Sequence, residues 1–527
     1  MNNHLGFRLH SLRISGHPVL KDVQFVFCDD LNTCDNVYVT GIIGSNGTGK
    51  SHLMSAIATV FSEVYKAKLN GNTGSRRFTF EIDYYLFNDH YQMSNSHKTG
   101  KYIAMEFYNR QNYVTVIKNG LSIDLADAFL PDRVIASTMT VTDKFVAKSD
   151  EFYKYRGIRN ENSVNTTGTR TLIRKAVSSI MSCMSSKNAF QNEMRILLDN
   201  LGLEQHLHIK YGMRYKSLFL RNNMSIPMFK DIFDNWEDHF IGRENAPWGY
   251  NHYLRIREDN QKLDCIVKFL IKHAMTAQGS VVVSYDVMQA PEEFHRDAEA
   301  ILLLSQLDIM TFPTVEVVKK GMLYGLENSS SGETHLLCQF IGIMADIRQD
   351  SLILIDEPEN SSHPDWQMNY VGWLKEIFKD YRSCHFIITT HSPLLLTNMK
   401  PTESTILRLK RNDDGKIISE GDFTSGCFSW NVDEILKDVM DMKKSHPDEY
   451  NVAMRDFENA LRINDKRAAK YAYHRLEMMI NPSNVLLELL RIQMIGVDDW
   501  KSPVCVTPEA QVPLTLESKF RMTPIKS

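Results

Sequence analysis

The chain has 527 residues, of which 43% are hydrophobic and 10% are aromatic, so it is long enough to bury the cores of several domains. Its 60 basic and 64 acidic residues leave a formal net charge of -4, which excludes a strongly cationic protein that coats nucleic acid over its whole surface. The sequence contains no run of about 18 apolar residues and no secretory signal pattern, so we expect a cytoplasmic protein without membrane association. The eight cysteines show no CxxC spacing of the kind that binds zinc.

The N-terminal part of the chain predicts strands around one helix. An apolar run at 37–43 stops at a glycine-rich turn, and a helical pattern follows at 52–60. The segments 78–86 and 102–117 are rich in aromatic and β-branched residues, which predicts an antiparallel subdomain beside the first strand and helix. A further buried strand is predicted at 132–137.

The pattern then changes to helices. The polar stretch 156–171 is typical of an exposed loop or linker, and residues 171–305 show mainly helical spacing, which predicts a helical insertion. Sheet character returns at 314–318, 352–355 and 385–389. From 432 onward the apolar residues again follow a helical period.

The turn after the first apolar strand is a complete phosphate-binding loop, formed by Gly44, Ser45, Asn46, Gly47, Thr48, Gly49, Lys50 and Ser51. Its glycines let backbone N–H groups point at phosphates, and the helix that follows adds a favourable dipole. We expect Lys50 to neutralise the β and γ charges of ATP and Ser51 to ligate Mg²⁺.

Two acids follow the apolar strand 352–355. Asp356 is predicted to hold the Mg²⁺ shell, and Glu357 is predicted to orient the attacking water as a catalytic residue. By itself the pattern also fits a core strand that ends in solvated acids, but the upstream phosphate loop favours the metal site.

Two shorter motifs complete the predicted site. Ser330, Gly332 and Glu333 open a helical run and are predicted to present N–H groups and a hydroxyl to a γ-phosphate, although the same pattern alone is a common helix cap. His391 follows the strand 385–389 and is predicted to contact the γ-phosphate and the catalytic carboxylate, although a lone histidine is more often structural.

With these motifs in place, the chain resembles the ABC-type ATPases of the SMC, RecF and OLD grouping. The run DEPENSSHP at 356–364 is similar to the form that this motif takes in that grouping, DEPE followed by HP. His363 stands where membrane transporters carry an aspartate. The resemblance implies ATP and Mg²⁺ as cofactors. It also implies a head-to-tail homodimer, or a higher even oligomer, in which Ser330 and Gly332 of one chain face the phosphate held by Lys50 of the other.

The implied fold class is α/β, an ABC-type ATPase head with a mixed sheet and an antiparallel subdomain, a helical insertion and a helical C-terminal region. We expect four regions: an N-terminal ATPase lobe with the phosphate loop at 1–155, the insertion at 156–312, a C-terminal lobe with the other motifs at 313–430, and a helical partner-binding region at 431–527.

Within the grouping, the chain resembles the PtuA family, the ATPase subunits of Septu and of some retron anti-phage systems. That resemblance rests on the absence of a long coiled coil, on Asp143-Lys144-Phe145 and on the helical tail from Trp430 to Leu436. It implies an HNH-type, PtuB-like nuclease as partner and, in retron systems, a reverse transcriptase with its RNA-linked DNA. The triplet at 143–145 lies about where a Q-loop belongs, but it has no glutamine and equally fits a surface loop.

Two functions remain open at this stage. The acidic pairs after His391 do not follow a strand as a Toprim nuclease requires, so we expect an ATPase with no nuclease of its own. A regulatory ATPase that holds and controls a separate effector is favoured by the amphipathic stretch 460–495. A RecF/SMC-like DNA-repair ATPase that clamps DNA is less favoured, because the basic stretch 156–175 is short.

Overall fold

The architecture comes from a computed structural model. The structure describes residues 6–28, 37–70, 78–95, 114–159, 168–183, 188–239, 247, 249–275, 281–423, 427–440, 447–481 and 484–495. The chain forms two compact units, Met1–Met440 and Asp441–Ser527.

The strands in chain order are β1 (Arg8–His17), β2 (Lys21–Val26), β3 (Tyr38–Gly44), β4 (Thr79–Leu86), β5 (Asp89–Ser94), β6 (Thr115–Lys118), β7 (Leu121–Ile123), β8 (Val134–Thr138), β9 (Tyr153–Gly157), β10 (Leu207–Gly212), β11 (Val281–Asp286), β12 (Thr314–Lys319), β13 (Met322–Gly325), β14 (Leu352–Asp356), β15 (His385–Thr389), β16 (Ser404–Arg411) and β17 (Ile417–Phe423).

The helices in chain order are α1 (Lys50–Asn70), α2 (Thr169–Cys183), α3 (Asn188–Asn200), α4 (Lys216–Phe219), α5 (Ile226–Asp234), α6 (Trp236–His239), α7 (Tyr250–Ile256), α8 (Asn260–Ala274), α9 (Pro291–Gln306), α10 (Ser331–Asp346), α11 (Pro364–Ile377), α12 (Pro393–Leu396), α13 (Val432–Glu434), α14 (Asp448–Arg462), α15 (Lys466–Met479) and α16 (Val485–Ile495).

A seven-stranded sheet in the order β17-β16-β3-β15-β14-β8-β9 forms the centre of the first unit. All its neighbouring strands pair in parallel except β16 and β17, which are antiparallel. Helices cover both faces, so β14 is apolar at every position before Asp356. Its side chains alternate between two cores, since Ile353 and Ile355 belong to one cluster and Leu352 and Leu354 to the other. A mixed sheet of this kind agrees with the predicted α/β fold class.

The predicted antiparallel subdomain is a six-stranded sheet in the order β2-β1-β4-β5-β6-β7. Its inward side chains, such as Ile82 and Tyr84, share a core with Leu53, Ile57 and Phe61 of α1. The sheet thereby holds the helix that begins at the phosphate loop. The part of the predicted strand region that spans 102–113 lies outside the described residues.

The insertion is mainly helical, as predicted, but it also contains a four-stranded antiparallel sheet in the order β11-β10-β12-β13. The helical spacing of residues 171–305 did not predict β10 or β11. Both are short strands between helices, and their pairing is set by contacts far apart in the chain. Because β12 pairs with β10 and β13 pairs with β12, the sheet of the insertion extends past residue 312.

The described part of the second unit contains α14, α15 and α16. Phe457, Tyr473, Leu476 and Met494 are buried in a core of their own. The helical period predicted from 432 onward is therefore present in this part of the chain. Among the described residues, no helix combines the length and the apolar character needed to cross a membrane.

Candidate nucleotide site

The phosphate loop joins β3 to α1, as predicted. Gly44 has φ +156°, and a Cβ there would lie 2.5 Å from the carbonyl oxygen of Leu409. Gly49 has φ +90°, and a Cβ there would lie 2.8 Å from Leu20 and 2.9 Å from Ile417. Glycine is therefore required at Gly44 by its backbone conformation and by the approach of the Leu409 backbone, and at Gly49 by its positive φ.

Lys50 is buried at the start of α1. Its Nζ donates to the carbonyl oxygen of Gly44 at 2.9 Å and lies 2.7 Å from Nε2 of His391. Burial lowers the pKa of Lys50, while the negative charges of Glu357, Asp356 and Glu359 raise it. The ammonium group is thus held at the mouth of the loop, where it can neutralise a phosphate.

Asp356 and Ser51 lie together as the sequence predicts. The hydroxyl of Ser51 donates to Oδ1 of Asp356 at 3.2 Å, and the hydroxyl of Thr389 donates to the same oxygen at 2.5 Å. Two neighbouring ligands of a Mg²⁺ ion lie about 2.9 Å apart, since each bond is about 2.1 Å long. The two oxygens therefore fit a Mg²⁺ ion. Burial raises the pKa of Asp356, and the hydrogen bonds from Thr389 and Ser51 lower it.

Glu357 adopts a left-handed backbone with φ +48°, a strained conformation for this residue. Its backbone N–H donates to the carbonyl oxygen of Thr389 at 3.1 Å, which ties the strained turn to the neighbouring strand. Its Oε1 lies 3.4 Å from Nε2 of His391, and its Oε2 accepts from Nδ2 of Asn360 at 3.2 Å. The hydrogen bond from His391 lowers the pKa of Glu357, so the carboxylate stays ionised and able to accept a proton or orient a water.

His391 stands between the phosphate-loop lysine and the carboxylate. Its backbone N–H donates to Oε1 of Glu359 at 2.6 Å, which fixes the turn after β15. Its Nε2 either accepts from Lys50 or donates to Glu357, depending on the tautomer of the ring. His391 therefore contacts both the phosphate-loop lysine and the predicted catalytic carboxylate.

The predicted signature segment begins α10. Ser330 caps the helix, since its Oγ accepts from the backbone N–H of Glu333 at 3.2 Å. A Cβ on Gly332 would lie 2.3 Å from the carbonyl oxygen of Ser361, so only glycine fits there. The buried carboxylate of Glu333 accepts from Nζ of Lys319 at 3.0 Å. Among the hydrogen bonds and ion pairs of the described residues, none joins 330–333 to the phosphate loop at 44–51.

Sequence reasoning missed several residues that hold this site. Thr389 is opposite Asp356 in the parallel register of β14 and β15, and Glu359 positions His391. Arg411, at the end of β16, donates to the carbonyl oxygen of Gly47 through Nη2 at 2.7 Å and through Nε at 3.1 Å. Thr389 and Glu359 lie beside motif residues, which was a usable signal, whereas nothing local marks Arg411.

The triplet at 143–145 contacts the helix that follows the phosphate loop. The buried carboxylate of Asp143 pairs with Arg159 at 2.6 Å and accepts from the hydroxyl of Tyr155 at 2.9 Å. The carbonyl oxygen of Lys144 accepts from the hydroxyl of Ser55 on α1 at 2.7 Å. The Q-loop role of this segment stays a prediction.

Part of the chain matches proteins already known. Residues 318–397 match the family model described as AAA domain, putative AbiEii toxin, Type IV TA system. The chain is 32% identical over 145 residues to the Septu protein PtuA of Bacillus thuringiensis, a match that covers 28% of this chain and 36% of that protein. It is 26% identical over 186 residues to the probable ATPase of retron Vc95 of Vibrio cholerae serotype O1 biovar El Tor, covering 30% of this chain and 32% of the relative.

The resemblance to the PtuA proteins is confirmed. Each match spans about a third of the relative's length. Among solved structures, the SMC head domain from Thermotoga maritima aligns with a TM-score of 0.32 and 13% identity, covering 79% of this chain and 98% of that chain. The fold assignment rests on the strand order described above.

Proposed function

We propose that the chain binds ATP with Mg²⁺ and hydrolyses it to ADP and phosphate. The observation that carries this proposal is the convergence of five side chains at the same end of three adjacent parallel strands: Lys50 and Ser51 after β3, Asp356 and Glu357 at β14, and His391 after β15. Side chains that are suited to bind phosphate lie there within hydrogen-bond distance of one another and of an ionised carboxylate.

The roles follow from the charges. Lys50 would bind the β- and γ-phosphates, and Ser51 and Asp356 would hold the Mg²⁺ that shields them. Glu357 orients the water that attacks the γ-phosphate, and His391 links that carboxylate to Lys50. The metal supplies charge neutralisation on the phosphate oxygens.

The direct test is phosphate release from ATP by the purified chain. We expect release in the presence of Mg²⁺ and its loss when EDTA removes the metal, because Ser51 and Asp356 then no longer fix the nucleotide through Mg²⁺. A fluorescent ATP analogue reports binding separately. A chain that binds no nucleotide in either condition would contradict the proposal.

We further propose that two chains complete each site head to tail. Ser45, Asn46 and Gly47 on the phosphate loop are exposed, and so is Ser330 at the start of α10. The Oγ of Ser330 accepts from its own helix, which leaves the hydroxyl hydrogen free to donate to a phosphate. A second helix N-terminus is the simplest way to complete the shell of a γ-phosphate left open by the loop.

In biological terms we propose a regulatory ATPase of an anti-phage defence complex that holds and controls a separate HNH-type, PtuB-like nuclease. The similarity to a Septu PtuA and to a retron ATPase supports this role. The described part of the C-terminal unit exposes large apolar side chains that suit a protein partner: Ile463 at 69%, Tyr471 at 70%, Met478 at 82%, Leu489 at 53% and Ile492 at 59% exposure.

The effector proposal predicts that the chain alone leaves DNA uncut. We expect no cleavage of plasmid by the purified chain with Mg²⁺ or Mn²⁺, and cleavage once a PtuB-like HNH nuclease is added. The reason is that, among the described residues beyond His391, no three histidine, cysteine or acidic side chains lie close enough to share a metal ion. Asp413 and Asp414 lie in the turn between β16 and β17, so the prediction that no acidic pair after His391 follows a strand was wrong for this pair. Cleavage by the chain alone, if lost on replacement of an acid beyond His391, would overturn the assignment. ATP hydrolysis stimulated by duplex DNA without effector binding would favour a DNA clamp.

A further inference from the structure

A cluster of two histidines and one aspartate lies in the insertion, apart from the nucleotide site. His206 precedes β10, His208 lies within it, and Asp286 ends β11. One potential ligand atom from each of these three side chains lies within 4.8 Å of the others. Among the described residues this is the one group of three histidine, cysteine or acidic side chains that meets this condition.

The fold brings the three side chains together by strand geometry. Residues two apart on a strand point to the same face, so His206 and His208 share one side of β10, and their rings stack in parallel with centroids 5.9 Å apart. Asp286 is the antiparallel partner of His208, so its side chain projects from the same face. Strand pairing therefore builds the cluster, and no flexible loop is needed to close it.

The ligand atoms are almost at metal-binding separations. Oδ2 of Asp286 lies 2.6 Å from Nδ1 of His206 and 3.8 Å from Nε2 of His208. Four ligands at about 2.1 Å from a tetrahedral zinc ion lie about 3.4 Å from one another. The two observed distances lie on either side of that value, and the 2.6 Å contact is a hydrogen bond between His206 and Asp286 that a bound ion would replace.

The aspartate is also oriented in advance. Its second oxygen, Oδ1, accepts from the backbone N–H groups of Met288 at 3.1 Å and Leu207 at 3.3 Å. Those bonds leave Oδ2 directed at the histidines, as the outer hydrogen bonds of a metal site commonly do. The side chains of His206, His208 and Asp286 are 42%, 27% and 16% exposed, so an ion can enter from solvent.

Among the described residues, no ion pair joins the three ligands to a charged group outside the cluster. Glu316 on β12 is the cross-strand partner of His208 on the other side, but its carboxylate pairs with Lys210 at 2.5 Å. That pair is neutral overall and does not occupy Asp286. Two imidazoles with one carboxylate favour a borderline divalent ion such as Zn²⁺ over Mg²⁺, which prefers oxygen ligands.

We propose that His206, His208 and Asp286 form a zinc-class metal site with three protein ligands and an open fourth position. The ion would join β10 to β11. The same sheet continues through β12, whose last residue, Lys319, binds Glu333 of the signature helix. The site is independent of the proposed ATPase activity, since none of its ligands belongs to the nucleotide site.

The test is zinc binding by the full chain, freed of metal and titrated in excess Mg²⁺ to occupy Ser51 and Asp356. We expect about one equivalent of Zn²⁺ and a rise in melting temperature that excess Mg²⁺ alone does not produce. His208→Ala and Asp286→Asn should each weaken zinc binding at least about tenfold. The matched control is His239→Ala, because His239 and Asp231 form a histidine–aspartate pair at 3.2 Å outside the cluster. It should keep the wild-type equivalent.

Cobalt substitution of the unmutated chain gives a readout that does not depend on how the variants fold. A four-coordinate Co²⁺ ion in the site should show strong visible absorption that Zn²⁺ displaces. A wild-type chain that binds no Zn²⁺ and gives no such spectrum would overturn the proposal. An equal loss of zinc in His239→Ala and His208→Ala would overturn it as well.

Discussion

Replacement of Glu357 by glutamine is expected to stop ATP turnover while nucleotide binding stays within a few-fold of wild type. The carboxylate is ionised, faces His391 and stands next to the Mg²⁺ ligand Asp356, so it is placed to orient the attacking water. Glutamine keeps the size of the side chain but removes the charge. Loss of one such group typically lowers turnover by about a hundredfold or more.

The complementary change is Lys50→Ala, which should abolish nucleotide binding rather than turnover alone. The buried ammonium group is the positive charge that the loop presents to the β- and γ-phosphates. Affinity for a fluorescent ATP analogue and phosphate release are measured for both variants. Matched controls are Lys66→Ala, an exposed lysine on the same helix, and Glu376→Gln, an exposed glutamate on α11.

The pair of variants separates binding from chemistry. If Glu357→Gln hydrolyses ATP at the wild-type rate, Glu357 is not the catalytic carboxylate. If Lys50→Ala binds ATP normally, the phosphate loop is not the binding site. Nucleotide affinity and phosphate release of each variant are compared with those of the two control variants, which should behave as wild type.

The second large effect is recovery of activity on mixing two inactive chains. Lys50→Ala lacks a working phosphate loop, and Ser330→Arg places a bulky cation at the exposed start of α10. In a head-to-tail dimer of one chain of each kind, one of the two composite sites keeps an intact loop and an intact signature. We therefore expect mixed dimers, purified through a different tag on each chain, to regain part of the wild-type phosphate release.

A silent mixed dimer has two explanations, which a further mixture separates. Either the two sites act only together, or the signature acts on the loop of its own chain. A chain with both substitutions is paired with wild type in the same way. Strict coupling between the sites predicts no activity, whereas an in-chain signature predicts about half of the wild-type activity, and that second result contradicts the proposed head-to-tail site.

The motifs that are contiguous in sequence were the predictable part of the site. A phosphate loop needs glycines, a lysine and a hydroxyl within one turn, and an acidic pair after an apolar strand is likewise a short local pattern. Lys50 and Asp356 can therefore be recognised from the sequence alone. The strand at 352–355 was predictable for the same reason, because a strand covered on both faces is apolar at every position. The catalytic and binding roles given to these residues stay predictions.

The supporting residues were harder to predict from the sequence. Each contacts its partner through strand pairing that exists only in the folded chain. Thr389 reaches Asp356 since β14 and β15 are neighbours in register. Arg411 supports Gly47 since β16 lies beside β3, although the two are far apart in the chain. The zinc-class cluster was missed because a search for closely spaced cysteines does not find two histidines on one strand and an aspartate on the next.

By itself, the sequence determined the phosphate loop and the acidic strand end, since local periodicity and residue chemistry within a few positions specify them, and the fold class followed from the resemblance that these motifs carry. The tertiary structure decided the strand order that brings His391 between Lys50 and Glu357, and it decided that Ser330 opens a helix without bonding to its own chain's phosphate loop. Strand order and register depend on burial summed over distant segments, which no short window of sequence contains.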